Sequence, residues 1–140
     1  IKLGLVPYGK IMDTDENCPT LTFNTIARHQ SKIVRTRIAS NKSPWLSMTN
    51  VGDVYSVPIS HGEGRFIASD DILKTLIENG QVATQYADLS GNAAIEGITS
   101  PDGRVFGKMG HAERVGKGLY KNVLGDYDIK MFASAVKYFK

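Results

Sequence analysis

The chain has 140 residues, 41% of them hydrophobic and 22% charged, so it can form one compact core and is too short for two ordinary domains. Its net charge of +3 is small and its basic residues are scattered, and no apolar run is long enough to cross a membrane, so composition predicts neither nucleic-acid nor membrane binding. The single cysteine, Cys18, excludes an internal disulfide and a multi-cysteine metal site, and a cytoplasmic protein is therefore expected.

The chain opens with an apolar segment, residues 1–6, that closes at Pro7-Tyr8-Gly9, and this pattern predicts the end of a helix. Cys18 follows a polar stretch and precedes Pro19, which favours an extended backbone at the cysteine. An activated cysteine normally lies where a strand turns sharply into a helix, with small neighbours around it. Cys18 has none of these features, and we expect it to be a loop cysteine.

Residues 32–39 alternate with a period of two, which predicts a strand with Arg35 and Arg37 on one face and Thr36 and Ile38 on the other. The basic face, with Arg28 and Lys32 nearby, is compatible with phosphate binding, but a solvated face is the commoner reason for such a pattern. We assign these residues no catalytic role.

The scaffold is predicted from local signals. Ser43 and Pro44 are suited to begin a helical turn, and Ser69 is suited to cap a helix over residues 70–79 that Gly80 ends. Residues 82–86 predict another strand. A terminal helix is expected to begin at Asp126 or Asp128 and to pack through one apolar stripe, formed by Ile129, Phe132, Ala133, Val136 and Phe139.

Two stretches have the composition of a functional site. In the first, residues 54–66, a strand ends at His61, and glycines on both sides of Glu63 permit a tight backbone path that a substrate could approach closely. The alternative is a glycine turn in which His61 is simply hydrogen-bonded to the backbone. The pattern alone does not decide between these two interpretations.

The second stretch, residues 104–114, predicts a strand that presents His111 and Glu113 just past its last apolar residue, Met109. Residues i and i+2 of an extended chain point to the same side, so Glu113 could orient the imidazole of His111 and stabilise its protonated form. A histidine base and a carboxylate are two thirds of a nucleophilic triad. The alternative is an ordinary surface pair.

The string at residues 94–114, Ala-Ile-Glu-Gly-Ile-Thr-Ser-Pro-Asp-Gly-Arg-Val-Phe-Gly-Lys-Met-Gly-His-Ala-Glu-Arg, resembles the end of a class I glutamine amidotransferase domain. More narrowly, it resembles the glutaminase domains of phosphoribosylformylglycinamidine synthases, in which this His and Glu complete a Cys-His-Glu triad. The resemblance implies an α/β, flavodoxin-like class I glutamine amidotransferase fold, of which this chain is the C-terminal part only. Residues 1–140 would be one partial domain that begins after the nucleophile cysteine turn, with no second domain.

The string Pro-Ile-Ser-His-Gly-Glu-Gly-Arg, residues 58–65, is similar to a signature that lines the glutaminase site in the same family. The resemblance implies that His61, Gly62, Glu63, Gly64 and Arg65 bind substrate, and that His111 and Glu113 are catalytic. One departure follows residue 87, where residues 88–92 replace a longer family loop that contains Asn-Pro-Asn-Gly-Ser.

The resemblance implies that a cysteine attacks the side-chain amide of glutamine while His111 shuttles protons. The ammonia would pass to a synthetase domain of the same enzyme, which also holds ATP and Mg²⁺, and this chain itself would hold no cofactor and no metal. By itself the chain is expected to be inactive. The alternatives are the glutaminase of another class I amidotransferase and a non-catalytic interaction domain with this fold.

Overall fold

The computed structural model describes the whole chain, residues 1–140, as a mixed α/β fold built around a curled five-stranded sheet. The sheet has the order β3-β2-β5-β6-β7, and all of its strand pairs are antiparallel. Two further strands, β1 and β4, form a separate antiparallel pair. The strands are β1 Thr20–Phe23, β2 Gln30–Ile38, β3 Val54–His61, β4 Glu63–Ile67, β5 Val82–Tyr86, β6 Ile95–Thr99 and β7 Phe106–Lys108.

Strand β2 has the two-residue period that the sequence predicts. Thr36 and Ile38 are fully buried, whereas Arg35 and Arg37 are exposed. Arg35 forms an ion pair with Asp88 at 2.5 Å, and Arg37 donates to the side chain of Gln85 at 2.7 Å. The basic face is therefore a solvated surface whose two arginines have partners on the neighbouring strand and the loop after it.

The N-terminal segment is a correction to the sequence prediction. It is not the end of a longer helix, because residues 1–4 are not helical and the only helical turn there is α1, Leu5–Tyr8. Val6 inside this turn is extended, with φ −123° and ψ 130°. A proline disfavours the α region at the residue before it, so Pro7 explains why Val6 interrupts the helical turn.

Helix α2, Asp70–Glu78, begins where the sequence predicts. The side-chain oxygen of Ser69 accepts a hydrogen bond from the amide of Ile72, and Gly80 follows the helix in the left-handed region with φ +69°. Ile72, Leu73 and Leu76 pack on the core as expected. The fourth residue predicted for this face, Ile77, is instead 56% exposed.

Helix α3, Met131–Phe139, differs from the prediction in its start and in its buried face. It begins after Lys130 rather than at Asp126 or Asp128, and Ser134 and Ala135 are its buried residues. The helix packs on the short 3-10 turn Pro44–Leu46, where small side chains allow a close approach, and the hydroxyl of Ser134 accepts from the amide of Met48 at 3.2 Å. Of the stripe predicted to pack inward, Phe132, Val136 and Phe139 are more than half exposed.

Two hydrophobic clusters hold these elements together. One joins α1, β4, α2 and the ends of β5 and β6, and consists of Val6, Phe66, Leu76, Val82, Ile95 and Ile98. The other lies under the 3-10 turn and α3, and consists of Ile38, Leu46, Tyr55, Ala83 and Ile129. No helix of the chain combines the length and the apolar character needed to cross a membrane.

The segment after β7 returns to β3, the other outer strand of the sheet. The chain leaves β7 at Lys108, and at His111 its amide already donates to the carbonyl of Pro58 on β3 at 2.9 Å. Further along, the carbonyl of Asp126 accepts from the amide of Ser56 at 2.6 Å. The segment after β7 therefore lies along the outer edge of β3, where Pro58 has no N–H to leave unpaired.

Candidate active site

His111 and Glu113 form the pair that the sequence predicts. Nδ1 of His111 lies 2.6 Å from Oε1 of Glu113. An ionised carboxylate can only accept, so in the neutral imidazole Nδ1 carries the proton and Nε2 keeps a free lone pair. The pKa of Glu113 is lowered by the hydrogen bond from its own backbone amide and next by that from His111. The side chain of His111 is 29% exposed, so the ring is held in place yet accessible.

The turn that carries His111 is fixed by a buried ion pair that the sequence analysis missed. Glu96, on β6, has a side chain with no exposed surface, and its Oε1 lies 3.2 Å from Nζ of Lys108 on β7. The same Oε1 accepts from the amide of Gly110 at 2.5 Å, and Nζ of Lys108 donates to the carbonyl of Gly110 at 2.9 Å. Both polar backbone atoms of the residue before His111 are thus bound by the pair.

The second carboxylate oxygen of Glu96, Oε2, faces strands β5 and β2. It accepts from the hydroxyl of Thr84 on β5 and from that of Thr36 on β2, the latter at 3.3 Å. Both threonines are completely buried. Glu96 therefore connects three neighbouring strands of the sheet to the turn at Gly110, and every polar contact it needs comes from within the chain.

His61 has a defined environment at the end of β3. Asn24, which is buried, donates from Nδ2 to the carbonyls of Arg28 and His61, so its Oδ1 is the acceptor for Nδ1 of His61 at 2.9 Å. The other ring nitrogen, Nε2, is buried without a hydrogen-bond partner. Burial lowers the pKa of His61, and the nearby His29 and His111 lower it further, so the ring is neutral at pH 7.

Gly64 lies flat against His61. A Cβ atom at residue 64 would overlap the imidazole ring, whereas one at Gly62 would meet no atom within 4 Å. Of the two glycines around Glu63, only Gly64 is therefore required for steric reasons. Asn24 and Gly64 together hold the imidazole of His61 from two sides.

Four of the five residues predicted to bind substrate line one of two cavities, and Gly62 lines neither. His61, Gly64 and Arg65 line a groove of about 380 Å³, together with Asn24, Lys32 and Tyr86, and we call this the His61 groove. Glu63 lines a larger cavity of about 560 Å³ beside residues 1–6. His111 lines neither of these cavities, although its charge reaches His61. The substrate contacts of these residues remain predictions.

Cys18 lies in the loop before β1, in a turn closed by its amide and the carbonyl of Asp15 at 3.2 Å. Its side chain is near Tyr8, and burial, followed by the contact with Cys18, raises the pKa of Tyr8 to about 12. His111 is hydrogen-bonded to Glu113, Pro58 and Arg114, and not to Cys18. The chain has no group of three or more His, Cys, Asp and Glu residues that could hold a metal ion.

The chain matches a known family over almost its whole length. A family model described as "CobB/CobQ-like glutamine amidotransferase domain" matches residues 1–139. Among curated relatives named "Phosphoribosylformylglycinamidine synthase subunit PurQ", that of Prochlorococcus marinus is 41% identical over 101 residues, or 71% of this chain and 45% of the relative. That of Synechocystis is 35% identical over 112 residues, or 72% of this chain and 49% of the relative.

A solved structure described as "Structure of PurLQS from Thermotoga maritima" has a chain that superposes on this one with a TM-score of 0.71 at 27% identity. The match covers 88% of this chain and 54% of that chain. This chain therefore spans about half the length of the relatives and of the structure that it matches.

Proposed function

Because the chain belongs to the family of CobB/CobQ-like glutamine amidotransferase domains, we propose that it supplies the base and the orienting carboxylate of a glutaminase site in a phosphoribosylformylglycinamidine synthase. The observation that carries the proposal is the 2.6 Å hydrogen bond between Nδ1 of His111 and Glu113, at the exposed end of the turn after β7. It leaves Nε2 of His111 available for proton transfer. The PurQ names of the relatives support the choice of parent enzyme.

In the proposed reaction, a cysteine thiolate attacks the side-chain amide carbon of glutamine and forms a thioester as ammonia leaves. Nε2 of His111 takes the thiol proton and delivers it to the leaving nitrogen. It then takes a proton from the water that hydrolyses the thioester to glutamate. Glu113 keeps Nδ1 protonated throughout and stabilises the imidazolium.

The thiol in this proposal comes from outside residues 1–140, because the only cysteine of the chain lies in the loop before β1, in contact with Tyr8 and Asp15, and is not a hydrogen-bond partner of His111. The chain is then one part of a larger glutaminase domain, in agreement with its span of about half of each relative. The His61 groove and residues 62–65 are proposed to bind glutamine, since His61 ends β3, the strand to which His111 is hydrogen-bonded, and residues 62–65 follow it directly.

The ammonia is proposed to pass to a synthetase partner that activates formylglycinamide ribonucleotide with ATP and Mg²⁺ and converts it to the amidine. That chemistry would need no cofactor in the 140-residue chain. The similar structure from Thermotoga maritima is of PurLQS, and this name is consistent with assembly of a PurQ subunit with other chains.

The test compares two nitrogen sources in the complete enzyme. His111→Ala should abolish amidine synthesis from glutamine and leave synthesis from ammonium salt unchanged, because His111 acts only in the release of ammonia. Glu113→Gln should reduce glutamine-dependent activity less than His111→Ala does, since an amide keeps the shape and loses the charge. The measurement is the initial rate of product formation with each nitrogen source.

The matched control is His29→Ala, which removes an exposed imidazole whose only side-chain bond is to Ser60. Equal loss of both activities in a folded His111→Ala enzyme would contradict the proposal. Activity with glutamine but with another acceptor would point to a different class I amidotransferase. No effect of His111→Ala on any activity would favour an interaction domain.

A further inference from the structure

We infer that Glu96 and Lys108 are positioning residues for His111: their buried ion pair holds the Gly110 turn and so sets the direction in which the imidazole is presented. This inference rests on the proposed function for the role of His111. It concerns residues to which the resemblance assigns no role.

The contacts of Gly110 are the main reason. Its N–H donates to the carboxylate of Glu96 at 2.5 Å, and its carbonyl accepts from the ammonium of Lys108 at 2.9 Å. The two charges, 3.2 Å apart, thus bind opposite polar atoms of one residue. Hydrogen bonds to ionised groups are about twice as strong as neutral ones, so the backbone here is held more firmly than by the sheet alone.

The cost of burying this pair is the second reason. Both side chains are more than nine-tenths buried, and Glu96 lies on β6 between the buried apolar residues Ile95 and Ile98. A buried ion pair is often no more stabilising than apolar residues of the same size. Stability alone therefore does not explain the pair, whereas control of the turn does.

The third reason is the close packing around residue 110. A Cβ atom at residue 110 would lie 2.7 Å from Cγ2 of Val57 and 2.8 Å from Oε1 of Glu96, so only glycine fits. The next residue is His111, whose amide is fixed on Pro58. The backbone is thus fixed at residue 110 by the ion pair and at residue 111 by Pro58, directly before the imidazole and Glu113.

The experiment uses the variants Glu96→Gln and Glu96→Gln/Lys108→Met. The single variant leaves Lys108 buried and unpaired and can fail to fold, and the double variant removes both charges and keeps the volume. Glu78→Gln, an exposed carboxylate on α2, is the control for loss of one negative charge. Folding is checked by circular dichroism and urea unfolding.

The first measurement is the tautomer of His111 in the 140-residue chain, read from the ¹⁵N shifts of its ring in long-range ¹H–¹⁵N spectra at pH 7.5. The wild-type chain and Glu78→Gln should show the Nδ1–H form, and the double variant should show a mixture of both tautomers. The second measurement, in the complete enzyme, is kcat and KM for glutamine. The double variant should lose about tenfold or more in kcat with little change in KM, because a misplaced base costs rate rather than binding.

A folded double variant with the wild-type tautomer and the wild-type kcat would overturn the inference. A change in tautomer without loss of glutamine-dependent activity would mean that the pair positions His111 but that His111 is not the base. That outcome would contradict the proposed function and would still support the positioning role. Equal loss of ammonia-dependent activity would show a general structural role and would also overturn the inference.

Discussion

The contact between Gly64 and His61 explains at the scale of single residues why a glycine is needed at residue 64. The imidazole of His61 occupies the place that a side chain at residue 64 would take, and Asn24 holds the same ring through a hydrogen bond to Nδ1. The neighbouring Gly62 has open space around it and no positive φ. The same short glycine motif therefore contains one residue that shapes the site and one that tolerates change.

Gly64→Ala should displace the ring of His61 and destabilise the chain by about 1–3 kcal/mol, the usual cost of overpacking. Gly62→Ala should change the free energy of unfolding by no more than about 0.5 kcal/mol. Urea unfolding of both variants measures the difference, and the ¹⁵N shifts of His61 report whether its bond to Asn24 persists. Equal stability of the two alanine variants would show that the ring moves aside without cost.

The residues of the site differed in how far the sequence could predict them. His111 and Glu113 are paired as predicted, but residues 111–114 form a turn, closed by the amide of Arg114 and the carbonyl of His111 at 3.2 Å, and not the extended chain from which the contact was predicted. Glu96 was not predictable, because its partners lie on β2, β5 and β7, and they meet only through the order of the strands in the sheet. The available signal was a carboxylate in the middle of an apolar strand, which needs partners when it is buried.

At the scale of elements, α3 shows why a hydrophobic stripe did not identify the buried face. The helix approaches the 3-10 turn closely, and only small residues, Ser134 and Ala135, fit between them. The larger apolar residues then point outward. Amphipathic periodicity identifies the helix correctly, but it gives the wrong face when the contact is made by small side chains.

This arrangement predicts that two side-chain truncations differ clearly in their effect on the free energy of unfolding. Leu46 is completely buried beneath α3, so Leu46→Ala should destabilise the chain by about 2–5 kcal/mol. Phe132 is 53% exposed, and Phe132→Ala should cost less than about 1 kcal/mol. Urea denaturation with circular dichroism measures both. A large loss for Phe132→Ala would mean that the helix packs through its apolar stripe after all.

At the scale of the whole molecule, the sequence predicted most strands and helices but not their order in the sheet. Strands β2, β3 and β5 and helix α2 were each recognisable from period and caps. The order β3-β2-β5-β6-β7 depends on contacts between distant parts of the chain, and local patterns carry no information about them. The contact of His111, after β7, with Pro58 on β3 likewise joins distant parts of the chain and could not be predicted from local patterns.

The 140-residue chain by itself should not hydrolyse glutamine, because His111 has no thiol beside it. The measurement is glutamate release from glutamine by the purified chain, with Cys18→Ala as the matched variant. Both proteins should give the rate of the buffer alone. Glutamate release that disappears in Cys18→Ala would make Cys18 the nucleophile and would overturn its assignment to a structural loop.

The segment that carries His111 also covers the outer edge of β3. The amide of His111 binds the carbonyl of Pro58, and the carbonyl of Asp126 binds the amide of Ser56. Both backbone groups of β3 would otherwise face solvent along an outer strand. An uncovered strand edge can pair with a strand of another chain and begin aggregation. Any change that releases the turn at Gly110 should therefore uncover this edge and promote self-association, so the contacts that fix residue 110 are also expected to oppose aggregation.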